Sequence, residues 1–179
     1  MISRCSHKYR LLVLVMLLLG NSSQSSENEL SREYKIKATY LLNISRYADW
    51  PNELFFDSQS DFIMCLQPDS IFSSFLREIV SGEVVTDNNR KIVVNELENI
   101  RDIAHCNLLY LKEYDLALKE FNCNCVFIGN TTEYSELGSN INFFTERERV
   151  RFEVNVTRLN ETGISLQSEL LRLARIIRE

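Results

Sequence analysis

The stretch from Asn140 to Ile177 constrains this chain more than any other. Val150-Arg151-Phe152-Glu153-Val154-Asn155-Val156 alternates strictly. Val150, Phe152, Val154 and Val156 fall on one side, and Arg151, Glu153 and Asn155 on the other, which is the period of a half-buried strand. Ile141-Asn142-Phe143-Phe144 precedes it as a short apolar run, and Glu146-Arg147-Glu148-Arg149 makes a charged turn between the two. The pattern predicts a β-hairpin. Beyond it, Leu166, Leu170, Leu173 and Ile177 recur at helical spacing, with Leu171, Ala174 and Ile176 widening the stripe, which predicts a C-terminal helix.

Upstream, apolar runs alternate with helical patterns. Glu29 to Tyr47 reads as a helix, with Ile36, Tyr40, Ile44 and Tyr47 on one face. Trp50-Pro51 ends it, since proline disfavours the helical conformation of the residue before it. Strands are expected at 61–66, 91–94, 108–111 and 125–129, the first a short continuous apolar run of the kind buried on both faces. A helix carrying Phe72, Phe75, Leu76 and Ile79 follows Pro68-Asp69-Ser70, and Gly82 is its stop signal. A short turn or helix is expected around 97–103, and a longer helix at 114–121. The order predicts a three-layer α/β fold, a mostly parallel sheet flanked by helices, with the terminal hairpin and helix added to it.

The N-terminus reads as an export signal. Arg4, Lys8 and Arg10 precede the apolar run Leu11 to Leu19, and Gly20, Asn21, Ser22 and Ser23 follow. That run is too short to span a bilayer as a helix. Cleavage is expected near Ser22 to Ser26, dividing the chain into a leader (1–26) and one domain (27–179). The whole chain carries a formal net charge of −5, and the leader holds three basic residues and no acid, so the domain is more acidic still. Such a balance argues against nucleic acid as a partner, because phosphate binding needs clustered cations.

No motif announces catalysis. There is no phosphate-binding glycine loop, no H-E-x-x-H and no G-x-S-x-G. His105 is the one histidine after the leader and reads as a loop residue beside Cys106. No enzyme activity, cofactor or metal is expected. Four cysteines follow the leader: Cys65, Cys106, Cys123 and Cys125. An even count in an exported protein suggests disulfides, with three connectivities open. Cys123 and Cys125 are two apart, awkwardly close for a bridge in an extended strand. They are the candidates for redox chemistry, with ordinary packing or a bridge as the plainer alternative. Lys37, Asn43, Asn142, Arg151, Glu153 and Asn155 are polar residues inside apolar segments. They predict either an internal hydrogen-bonded network fixing the hairpin against the first helix, or a ligand or partner seam at that place.

Two segments carry a family resemblance. Ile141-Asn142-Phe143, the charged turn, Val150 to Asn155, and Ile164-Ser165 running into Leu170-Leu171-Arg172-Leu173-Ala174-Arg175 resemble the C-terminal signature of the YfiR-like family of bacterial periplasmic proteins. Glu33-Tyr34-Lys35-Ile36-Lys37-Ala38 through Asn43, then Trp50-Pro51, is similar to the family's N-terminal motif. The likeness spans residues 33 to 177. It departs at Gln67-Pro68-Asp69-Ser70-Ile71-Phe72 and at Gly138-Ser139-Asn140, where the family has other loop sequences.

The resemblance implies a periplasmic, non-enzymatic regulator. Such a protein binds the sensor domain of an inner-membrane diguanylate cyclase and holds it inactive, controlling cyclic di-GMP and biofilm formation. An outer-membrane-anchored protein that sequesters the repressor is the second implied partner. The resemblance also favours a Cys65–Cys106 bridge, each cysteine standing at the end of a predicted strand, with a pair of buried free thiols as the alternative. Closing that long loop is worth roughly 4 kcal/mol in the chain-entropy account. The runner-up function is a small-ligand-binding protein feeding a sensor kinase or other envelope receptor. Oligomeric state, a homodimer included, is left open.

Overall fold

The computed structural model describes residues 22–85, 89–113, 125–131 and 138–178. Its centre is a seven-stranded sheet in the order β3-β2-β4-β5-β6-β7-β9. The strands are β2 (Phe62–Leu66), β3 (Ile92–Glu96), β4 (Leu108–Tyr110), β5 (Val126–Gly129), β6 (Ile141–Glu146), β7 (Arg149–Asn155) and β9 (Arg175–Ile177). The five strands from β3 across to β6 are parallel. β7 runs antiparallel to β6 as the predicted hairpin, and β9 lies parallel to β7 on its other side. A separate two-residue ladder joins β1 (Ala48–Asp49) to β8 (Ser165–Leu166). The helices are α1 (Ser22–Arg46), α2 (Ser70–Val80), α3 (Val156–Glu161) and α4 (Ser168–Leu171). The three-layer α/β class expected from the sequence is the fold observed.

Local chemistry explains the boundaries. α2 starts where the Asp69 carboxylate accepts the Phe72 N–H at 3.1 Å, satisfying one of the donors a helix leaves open. It ends before Gly82, whose φ of +78° is the left-handed region that glycine occupies without penalty. The β6–β7 turn is made by Arg147 and Glu148, both at positive φ (49° and 61°), the geometry that matches strand twist in a two-residue hairpin. α3 is capped by Asn155, whose side-chain oxygen accepts the Arg158 N–H at 3.1 Å.

Alternation gives the sheet two unlike faces. One carries Phe62, Met64, Leu66, Leu108, Tyr110, Val126, Ile128, Phe143, Phe152 and Val154, all buried. α1 packs there through Tyr40, with ring centroids 5.0 Å from Phe152 and 6.0 Å from Phe143. α2 packs there through Phe72, 5.1 Å from Tyr110. Trp50 meets Phe62 edge-on at 4.7 Å while its indole N–H donates to the Ser45 carbonyl at 2.8 Å. The opposite face carries Ile63, Cys65, Leu109, Leu111 and Phe127, which join Ile103 and Cys106 in a second apolar cluster. Toward β6 and β7 this face turns polar.

Two expectations need correction here. The C-terminal helical stripe makes only one turn of helix, at Ser168–Leu171, before the chain extends as β9. Leu170 is buried, but Leu173 and Ile176 are exposed, so the stripe never became a helix face. Tertiary pairing won: the free edge of β7 takes β9, aligning Glu153 with Arg175. For the same reason β7 is not half-buried along its length. Arg151 is exposed as expected, but Glu153, between Asn142 of β6 and Arg175 of β9, and Asn155, paired with Ile177 of β9 and donating to the Asn140 carbonyl, are buried. The helix expected at 114–121 lies outside the described residues.

Candidate functional site

The polar residues singled out in the sequence separate into two groups. Asn142, Glu153 and Asn155 share one face of adjacent strands, in register at Asn142↔Glu153. The Asn142 amide donates to Glu153 Oε1 at 3.2 Å. Arg175 donates to Glu153 Oε2 from Nε at 2.9 Å and also from Nη2. Its guanidinium lies 4.0 Å from the Phe144 ring centroid. The Glu153 carboxylate is thus buried with its charge matched and both oxygens bonded, which a buried ion requires. Asn142 Oδ1 and Asn155 Nδ2 are buried without a hydrogen-bond partner. Lys37 is buried and Asn43 half-buried on α1, which packs on the other face, so neither joins this row. Arg151 faces solvent. The partner that sequence reasoning missed is Arg175, hidden because it was assigned to a helix.

The disulfide is formed between Cys65 and Cys106, 41 residues apart. It ties the C-terminal half of β2 to the end of the 3₁₀ turn Ile100–His105. Cys125 is itself disulfide-bonded. Cys123 lies outside the described residues.

Two clefts flank the Cys65–Cys106 bridge. One, of about 550 Å³, is lined by Glu53, Phe55, Phe56, Asp61, Ile63, His105 and Cys106. The other, of about 500 Å³, is lined by Cys65, Arg77, Glu96, Glu98, Asp102, Ile63 and His105. Ile63 and His105 line both. Asn107 builds the first cleft: its main chain and Oδ1 bond both ways with Ile63, at 2.9 and 2.7 Å, and its Nδ2 donates to the Leu54 carbonyl at 3.0 Å. Asn140 repeats the device at β5, exchanging bonds with Phe127 at 3.0 and 2.7 Å.

The charges near the clefts are partly fixed. Glu96 accepts the Ser73 hydroxyl and faces Arg77 at 3.4 Å. The hydroxyl first, then the guanidinium, holds its carboxyl below the usual range. Asp57, in the loop after Phe56, is also lowered, first by the Gln59 N–H and then by the Ser60 hydroxyl. Arg90 closes that loop from the other side, stacking 3.7 Å over Phe55 and donating to the carbonyls of Asp57 and Ser60 at 2.9 and 2.6 Å. Phe56, adjacent to the buried Phe55, is 97% exposed. The Phe55-Phe56 pair was the sequence signal: in extended backbone two neighbours cannot both face the core. Among the described residues no cluster suited to a metal ion occurs.

The family model described as YfiR/HmsC-like matches residues 34–175. The chain belongs to this family. Membership supports a periplasmic regulator in cyclic di-GMP signalling, and a regulatory class of protein, at that general level. No curated protein matches the sequence. Among solved structures, the crystal structure of the ABC domain in complex with L-Trp from Streptococcus pneumonia is similar at 9% identity and a TM-score of 0.43. The match covers 65% of this chain and 55% of that one, so the chain spans about half of that relative's length. A likeness this loose carries no argument here. None of the described helices is long and apolar enough to cross a membrane.

Proposed function

We propose that this YfiR/HmsC-like protein is exported by its N-terminal leader, binds the sensor domain of an inner-membrane diguanylate cyclase, and holds that cyclase inactive. Cyclic di-GMP and biofilm formation then rise when the repressor is removed, for example by an outer-membrane-anchored protein that sequesters it. The observation that carries this reading is the family match across residues 34–175. Physically it is a population shift. A protein that binds the inactive cyclase more tightly than the active one lowers activity on the far side of the membrane by that difference in affinity. The Cys65–Cys106 bridge keeps the repressor competent by holding the 3₁₀ turn against β2.

The direct test uses the cyclase reconstituted in lipid vesicles with its sensor domain accessible. Adding the purified protein should lower formation of cyclic di-GMP from GTP in a saturable way. An unchanged rate at saturating protein would contradict the proposal. The two clefts beside the disulfide favour a second reading, a small-ligand protein serving a sensor kinase or another envelope receptor. That reading predicts no effect on the cyclase.

A further inference from the structure

Three independent observations bear on the clefts beside the Cys65–Cys106 bridge. The first is Phe56. It is almost wholly exposed, and it stands on a turn that Arg90 and Asn107 hold in place rather than on a loose loop. Those bonds anchor the main chain on both sides of it. The second is an apolar lining. Ile63, shared by both clefts, is a half-buried apolar side chain. The third is charge. Glu53 and Asp61 line the first cleft, Glu98 and Asp102 the second, and all four are exposed. None of the four forms an ion pair among the described residues, and the one arginine lining either cleft, Arg77, faces Glu96.

An exposed aromatic side chain beside a shared apolar residue, in clefts lined by unpaired carboxylates, fits a protein partner better than a small anion. Aromatic side chains that become fully buried dominate binding energy at interfaces. Rim charges speed the encounter and select the partner's sign. We propose that this surface is the docking face for the cyclase sensor domain, and that it takes a segment presenting lysine or arginine side chains beside at least one apolar residue. The apolar residue packs against Phe56 and Ile63, and the cations meet Glu53, Asp61, Glu98 and Asp102. This rests on the function proposed above and names the face and the partner's chemistry. It also moves the partner site away from the Asn142–Glu153 row, whose charge is already matched internally by Arg175.

The test is binding of the purified protein to the immobilised sensor domain of the diguanylate cyclase, at two ionic strengths. Three variants are compared with the parent: Phe56→Ser, the double change Asp61→Lys with Glu98→Lys, and Glu161→Lys as a control at the exposed end of α3. All these positions are exposed, so the fold should survive, and thermal melts confirm it. The parent should bind, and raised salt should weaken it mainly through slower association. Phe56→Ser and the double variant should each lose about tenfold or more in affinity, the double variant also losing its salt dependence, and the control should match the parent. If the parent binds and the variants bind equally well, the docking face is wrong while the function stands. If the parent does not bind at all, both fall.

Discussion

The two faces of the central sheet are held by different physics. The helix-covered face is an aromatic and aliphatic layer, with Phe62, Phe143 and Phe152 fully buried beneath Tyr40 and Trp50. Its stability comes from area removed from water, an effect roughly proportional to that area and insensitive to direction. The other face adds specific pairings to a smaller apolar cluster: a disulfide, a buried carboxylate between an asparagine and an arginine, and asparagines that complete the ladders of neighbouring strands. The lesson is one of division of labour. The first face sets which strands exist, and the second fixes turns and the C-terminal strand in place, including the turn that presents Phe56.

The sharpest way to break this comparison is to damage each face in turn. Phe152→Ala removes a buried ring from the helix-covered face and should cost roughly 3–5 kcal/mol, measured by urea unfolding. A loss below about 1 kcal/mol would mean that this face is not the main store of stability. On the other face, Cys65→Ser with Cys106→Ser should cost roughly 4 kcal/mol, since the bridge closes a 41-residue loop. Parent and double variant unfolded side by side without reductant isolate this bridge from the one at Cys125. If the double variant stays folded and still inhibits the cyclase fully, the bridge has no part in repression.

Arg175→Ala leaves Glu153 buried with only Asn142 as partner. Because the Arg175 side chain is half exposed, the cost should fall between those of buried and surface pairs, about 1–3 kcal/mol. Hydrogen exchange should localise the change to β9 and the facing edge of β7. Uniform loss of protection across the sheet would contradict the division drawn above.

The smallest effect concerns pH. Glu96 has a folded pKa below its unfolded value, so its contribution is present above the usual carboxylate range of about 4 and is lost as pH falls through the lower folded value. Ser73→Ala removes the leading cause. It should lower stability at neutral pH by about 1 kcal/mol or less and make the acid loss shallower, seen in denaturation midpoints across that window. An acid limb identical to the parent's would show that the hydroxyl contributes nothing.

The part of the fold legible in the sequence was the part set by apolar periodicity. β2, α2 and the hairpin stand where their patterns put them, because burial of Phe62, Leu76 and Phe152 needs no particular partner. The C-terminal strand was not legible. Leu166, Leu170, Leu173 and Ile177 satisfy helical spacing, and only the free edge of β7 and the Glu153–Arg175 pair make extension preferable. The polar row was half legible: Asn142, Glu153 and Asn155 are conspicuous within apolar runs, but their partners are fixed by strand register, which sequence distance hides. Phe56 was hidden for a related reason, since its exposure depends on which of two adjacent aromatics turns inward.

The most direct measurement is cellular cyclic di-GMP in a deletion strain against its parent, with the gene restored in a third strain. A cyclase repressor predicts a rise on deletion that restoration reverses. An unchanged level in several growth conditions would contradict it.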